Sequence, residues 1–499
     1  MLDTLFPHLP ALQVVLPLLA APIALLFGKQ TQWIWLFATL VSGACFVIAF
    51  QLFLQVQTGD VIRYEFGGWA APWGIEYRID SLNAFILLIV SGIAAVVFPY
   101  AQTSIEKEIP PQHQSLFYVL MLLCLAGLLG MTITGDAFNV FVLLEISSLS
   151  TYALIALGRD RRGLTSAFQY LVMGTIGATF ILIGIGLLYI LTGSLNMMNL
   201  ADKIKDLHGS RTLHVAFGFL IVGFSLKLAM FPLHLWLPNA YAYAPSVVSA
   251  FLAATATKVA LYAMLRFMFT IFGADYSFDT MQVQWLFMPL ACIAIIVASV
   301  VAIFQSDLKR MLAYSSVAQI GYMLLGISLA NVTGLTATLL HIFNHSLMKG
   351  ALFLALGALC YQVGNTQFNR LAGVGKQMPW TFMAIVIGGL SLIGVPLTVG
   401  FISKWYLILA SIEQGMWPIV VVIIIGSLLA VIYIWRVVEA AYFKPAENPE
   451  TGNNIKEAPL MLLIPTWILV IANLGFGTYA TFTADISRNI ATLLFRGIQ

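Results

Sequence analysis

The sequence predicts an all-α membrane protein with about fourteen transmembrane helices, arranged as two inverted five-helix repeats that each contain a broken helix. Three observations carry that prediction. Of 499 residues, 60% are apolar and only 9% are charged, whereas a soluble protein carries about 25% charged residues. Too little polar surface exists for a water-soluble globule. Apolar runs of about 18–25 residues recur from end to end, each long enough to cross a bilayer. Two of those runs are interrupted by proline and glycine at matching places in two halves of the chain.

The runs fall at 9–28, 32–56, 80–100, 115–134, 137–157, 164–192, 213–231, 246–270, 285–305, 311–330, 335–360, 380–410, 417–443 and 460–485. The N-terminal MLDTLFPHLP lacks the basic start and small-residue cleavage site of a signal peptide, so the first run is expected to be a retained span. The longest connections, 57–79 and 193–212, are shorter than the roughly 50 residues a soluble domain needs. Residues 1–499 therefore read as a single integral membrane domain without a catalytic head. With both termini outside, about eleven basic residues fall in inside loops and about seven in outside loops, with Arg159, Arg161 and Arg162 as the clearest inside cluster. That bias predicts both termini on the outer side of the cell (inner) membrane.

The first interrupted helix contains KLAMFPLHLWLP, from Lys227 to Pro238, and the second GVPLTVGFISK, from Gly394 to Lys404. Proline removes a helix donor and clashes with the preceding turn. In lipid, the freed carbonyls are tolerated only where protein or a wetted cavity satisfies them. Residues 115–270 and 285–443 each contain five runs, with the break in the fourth. An odd number of crossings per repeat implies inversion, so the two segments read as two half-channels.

Several functions are excluded. A net charge of +3, scattered along the chain, does not suggest nucleic acid. The four cysteines are far apart and no Cys/His ligand spacing exists, against zinc, iron–sulfur and disulfide readings. There is no phosphate loop, dinucleotide fingerprint or nucleophile elbow. No cofactor and no metal are expected, and the chain reads as a transporter subunit, not an enzyme.

The chemistry is expected in ionisable residues deep within apolar runs: Glu145, Lys227, Lys258 and Lys404. Each costs roughly 2.5–3.5 kcal/mol at bilayer depth even on the lenient insertion scale, and such groups mark ion or proton paths. Glu145 and Lys227 form a candidate pair: the lysine keeps its proton beside a carboxylate and releases it when that carboxylate moves or is neutralised. The bland reading is a static ion pair, but buried pairs add little over apolar packing. Lys258, in TATKVA, has no acid in its own helix and suits a hydrated relay; the alternative is a snorkelling lysine. Arg266 fits snorkelling better. His341, His345 and Lys349 recur every four residues on one helical face. Histidine's two nitrogens suit proton transfer; a structural hydrogen-bonding role and a metal pair are the alternatives. Lys404 follows the second break and reads as a terminal proton exit, against an interfacial anchor. Asp136 reads equally as a helix cap, and Asp80 and Asp307 as structural boundary residues.

The stretches GDAFNVFVLLEISSLSTYAL, SLKLAMFPLHLWLPNAYAYAPS, SAFLAATATKVALY, SDLKRMLAYSSVAQIGYM, HIFNHSLMKGALF and SLIGVPLTVGFISKW resemble the proton-conducting membrane transporter family. That family includes the antiporter-like subunits of respiratory complex I, membrane-bound hydrogenases and the large subunits of Mrp-type sodium/proton antiporters. The resemblance covers about 115 to 410. It implies fourteen helices in two inverted repeats, a central acid–lysine pair at Glu145 and Lys227, a middle lysine at Lys258, a connecting histidine at His341 and a terminal group at Lys404. RYEFGGWAAPWGIEYRIDSLNAF and a lysine at 404 look most like the D-type subunits of Mrp antiporters. Partners implied are other membrane subunits of a hetero-oligomeric antiporter complex, with protons and Na+ as the ions moved. The runner-up is a proton-pumping subunit of a redox complex, and a third reading is a membrane scaffold without transport.

Overall fold

The computed structural model describes residues 6–497 apart from 29, 58, 60 and 445–454. The first five residues of the N-terminal stretch used to exclude a signal peptide lie outside the described residues. Among the described residues, thirteen helices are long and apolar enough to cross a membrane. They include α1 (Leu9–Leu25), α2 (Thr31–Val56), α3 (Ser81–Glu108), α4 (Gln114–Ile133), α5 (Ala137–Ala156), α6 (Arg162–Thr192) and α7 (Arg211–Leu228). After the short α8 (Trp236–Tyr243), the next crossing is split into α9 (Ser246–Ala254) and α10 (Ala256–Leu265). Then come α11 (Gln284–Ile303), α12 (Leu308–Ser328) and the long α13 (Val332–Val363). The pair α14 (Pro379–Ile393) and α15 (Val399–Glu413) supplies a further, interrupted crossing, which brings the total to the expected fourteen. The last elements are α16 (Trp417–Val438), α17 (Leu460–Thr478) and α18 (Thr481–Arg496).

Both expected breaks are present. The helix carrying Lys227 ends when Ala229 takes a left-handed conformation, and α8 restarts the chain after Pro232. The second break lies between Ile393 and Val399, with Gly394 and Leu397 at positive φ. Gly400 is required there: a Cβ would collide with the carbonyl of Ser391 and stand 3.2 Å from the Met348 Sδ.

Four features depart from the sequence reading. The run 246–270 is not continuous, because Thr255 leaves helical geometry at φ −126° and ψ −57°. No proline or glycine announces that break. The span expected at 460–485 ends at Thr478. A separate helix, α18, follows, burying Ile486, Ile490 and Leu494 while Asp485 and Arg488 stay exposed. The connection 57–79 forms an antiparallel hairpin, Ile62–Glu65 with Glu76–Ile79, so the chain is nearly rather than wholly helical. Arg266 does not snorkel. It is buried and donates two hydrogen bonds to Asp80, at 2.7 and 2.8 Å. Asp80 also caps α3 through Leu82 and Asn83, so one carboxylate ties the hairpin, α3 and the end of α10 together.

Long helix α13 organises the second half. It packs against α12, α14, α15 and α17, and also against α9 of the first half. His341, His345 and Lys349 are thereby placed at the centre of the bundle, each buried.

Candidate functional site

Glu145 on α5 and Lys227 at the end of α7 meet, with Nζ and Oε1 3.4 Å apart. That is long for a charge-assisted bond, which ordinarily spans about 2.7–2.9 Å. The ammonium's shorter contact is to Ser148 Oγ, at 2.9 Å. The two ends differ in burial: the Lys227 side chain is 5% exposed and that of Glu145 is 24% exposed. Lys227 sits where α7 is about to break. Its helix leans on α6 so closely that a Cβ at Gly177 would stand 3.6 Å from the lysine Cγ. A loosely held pair with a hydroxyl as a second acceptor can open without leaving the ammonium bare.

Lys258 lies just beyond the Thr255 break. Its ammonium donates to the Ala253 carbonyl, and it has no carboxylate partner among the described residues. It lies within electrostatic reach of His341, His345 and Lys349 on α13. Lys349 donates to Ser315 Oγ at 2.5 Å and to the Leu312 carbonyl at 2.8 Å, both on α12. His345 is fully buried, and neither ring nitrogen has a hydrogen-bond partner among the described residues. Its ring stacks on that of His341, with centroids 5.8 Å apart. His341 Nδ1 and Ser403 Oγ are 2.8 Å apart, while His341 Nε2 is without a partner among the described residues. Each imidazole nitrogen can accept or donate a proton, and these face the interior of the bundle.

Ser403 precedes Lys404 on α15. The Lys404 ammonium donates to the Leu392 and Ile393 carbonyls, both at 2.9 Å, and to Ser427 Oγ at 3.0 Å. It also stands 4.9 Å from the centre of the Tyr322 ring. The two carbonyls end α14, so the break supplies the acceptors that hold the lysine. A cavity of about 220 Å³ beside Gly394, Phe401 and Ser427 opens onto Lys404.

Every residue singled out from the sequence therefore lies in the bundle. Glu145 and Lys227 are in contact, and His341, His345 and Lys349 share a face. Lys404 adjoins α13 through its neighbour Ser403, which meets His341, and Lys258 follows α9, which packs on the same helix. The hydrogen bonds link Lys227 to Glu145 and Ser148 but not directly to Lys258. Sequence reasoning missed the hydroxyls Ser148, Ser315, Ser403 and Ser427. Only Ser148, three residues after Glu145, and Ser403, next to Lys404, could have been found by spacing. Asp136 accepts from the Asn139 amide at 2.7 Å and Asp307 from the Arg310 amide at 3.0 Å, so both cap helices.

Comparison with known proteins follows the same outline. The transmembrane family described as NADH:quinone oxidoreductase/Mrp antiporter matches residues 134–430. The chain is 42% identical to the N-type subunit of the NADH-quinone oxidoreductase of Desulforudis audaxviator, over 97% of each chain. It is 29% identical to the D-type subunit of the Na(+)/H(+) antiporter of Alkalihalophilus pseudofirmus, over 95% of each. Among solved structures, a chain of the membrane-bound sulfane sulfur reductase, an archaeal respiratory membrane complex, superposes with a TM-score of 0.88 at 30% identity, covering 97% of both chains.

Proposed function

This chain belongs to the NADH:quinone oxidoreductase/Mrp antiporter transmembrane family, and on that premise we propose that it is a proton-translocating subunit of a multi-subunit membrane complex. Residues 115–270 and 285–443 act as its two half-channels. Glu145, Lys227, Lys258, Lys349, His345, His341 and Lys404 carry the proton. The observation that supports this most is the run of buried lysines held by carbonyls and hydroxyls. Four ammonium groups at bilayer depth are an expensive arrangement with no packing advantage. Each has acceptors that can hold the cation yet no bidentate carboxylate that would fix it.

The resemblance to the D-type subunits of Mrp antiporters favours coupling to monovalent cation exchange, with Na+ as the second ion, and the relative from the Na(+)/H(+) antiporter supports that reading. The 42% identity to a NADH-quinone oxidoreductase component favours the second reading, in which a redox reaction elsewhere in the complex drives the same relay. Proton flux in vesicles containing the whole complex separates them. Flux that requires sodium supports the antiporter; flux that requires an electron donor supports the redox pump. In either setting, Glu145→Ala and Lys227→Ala should abolish translocation while the complex still migrates intact on native gels. Wild-type flux in both variants would reject the relay.

A further inference from the structure

We infer that Glu108 and Lys309 form the inlet through which protons reach Lys349, an inference that rests on the proposed translocation. A cavity of about 490 Å³ opens on the face carrying the connections that follow α3, α5, α8, α11 and α13, and Glu108 and Lys309 both line it. Glu108 ends α3, and Lys309 lies in the first turn of α12. Their side chains are mostly buried, with Oε1 and Nζ 3.9 Å apart.

The cavity's other acids are already engaged. Asp160 is bonded by Arg162 at 2.7 Å, and Asp307 accepts from Thr366 at 2.7 Å. Glu108 is different because it bridges to the interior. Its two oxygens accept from the Ser246 amide and hydroxyl, both at 2.5 Å, at the start of α9, the helix that leads to Lys258. The Lys309 ammonium, besides facing Glu108, donates to the Ala244 carbonyl at 3.4 Å, just before α9, while its backbone belongs to α12. Six residues along its own helix stands Ser315, the hydroxyl that holds Lys349. Six residues of α-helix rise about 9 Å. One pair thus stands at the foot of both helices that lead to the central relay, on the floor of a solvent-facing cavity. No other carboxylate–lysine pair among the described residues occupies such a place.

The competing explanation is that Glu108 merely caps α9. Glu108→Gln separates the two, since glutamine keeps an oxygen for Ser246 but cannot take up and release a proton. In vesicles containing the whole complex, this variant should slow driven translocation at least about tenfold, a modest loss for an acid–base group. Glu108→Asp should recover part of the rate. Malonate, a membrane-impermeant carboxylate small enough for the cavity, should restore Glu108→Gln when added on the cavity side and not on the other. It should do nothing for Glu145→Ala. Wild-type rates in Glu108→Gln, or a slow variant that malonate does not restore, would overturn the inlet. If Glu145→Ala also translocates normally, the relay itself is wrong and the inlet falls with it. If only Glu145→Ala is dead, the relay stands and the inlet alone is rejected.

Discussion

Replacing Lys404 tests whether the second break holds a titrating group or an anchor. The ammonium has three acceptors: the Leu392 and Ile393 carbonyls and the Ser427 hydroxyl. Hydrogen bonds to a charged group contribute about 1.5–3 kcal/mol each. Losing the two carbonyl bonds therefore forfeits a few kcal/mol of local interaction, partly offset because no cation need then be kept in the membrane. Lys404→Ala should leave the complex assembled and stop translocation, since no other lysine, histidine or carboxylic acid lies in GFISKWYLIL. Lys404→Arg keeps a cation for the carbonyls but does not release its proton at accessible pH, so it should assemble well and also fail. Lys404→Glu faces carbonyl oxygens with a carboxyl group, which fits only in its neutral form, as a donor. It should retain less flux than wild type but more than arginine. The assay is dye-monitored acidification of vesicles containing the whole complex, beside native-gel assembly. High flux in Lys404→Arg with none in Lys404→Glu would refute the exit-group reasoning, because that order belongs to an interfacial cation.

Two further outcomes follow from the packing. Gly400→Ala places a methyl group against the Ser391 carbonyl, its Cβ 2.9 Å from the carbonyl carbon. It should push α14 and α15 apart by about 1 Å and lower flux about a hundredfold without loss of assembly; an unchanged rate would show that translocation does not depend on the close approach of α14 and α15 at the break. Asp80→Asn should lower stability by about 3 kcal/mol, read as thermal unfolding in detergent, because it leaves the buried Arg266 without its counter-charge. Burial works to raise the Asp80 carboxyl, but the Arg266 guanidinium overrides it and holds the group below the usual carboxylate range. A lowered folded-state pKa gives stability that is present above the unfolded value, about 3.9, and is lost as pH falls through the folded one. Wild type should therefore lose this stability below about pH 4, where Asp80→Asn should show no matching loss.

The parts of the fold that were legible in the sequence share one physical cause. Apolar runs, the proline break after Lys227 and the four-residue spacing of His341, His345 and Lys349 are local patterns, so a window of a few turns reveals them. The other features depend on partners distant in sequence. Arg266 looks like a snorkelling residue until Asp80, 186 positions away, is brought beside it. The hairpin depends on the pairing of Ile62 with Ile79 across a stretch that reads as a loop. The break at Thr255 is the most informative case, because it has neither proline nor glycine. Beside it, Lys258 donates to the Ala253 carbonyl. At the second expected break, Lys404 donates to the Leu392 and Ile393 carbonyls in the same way. A bare carbonyl and a bare ammonium are each prohibitive in a membrane interior, and each satisfies the other. At Lys258 and Lys404, lysine and helix break are therefore one feature rather than two. Lys349 marks the boundary of that rule: it too has no acid in its own helix, but it takes the Leu312 carbonyl and the Ser315 hydroxyl of the continuous α12, so a neighbouring helix can hold the ammonium where no break does.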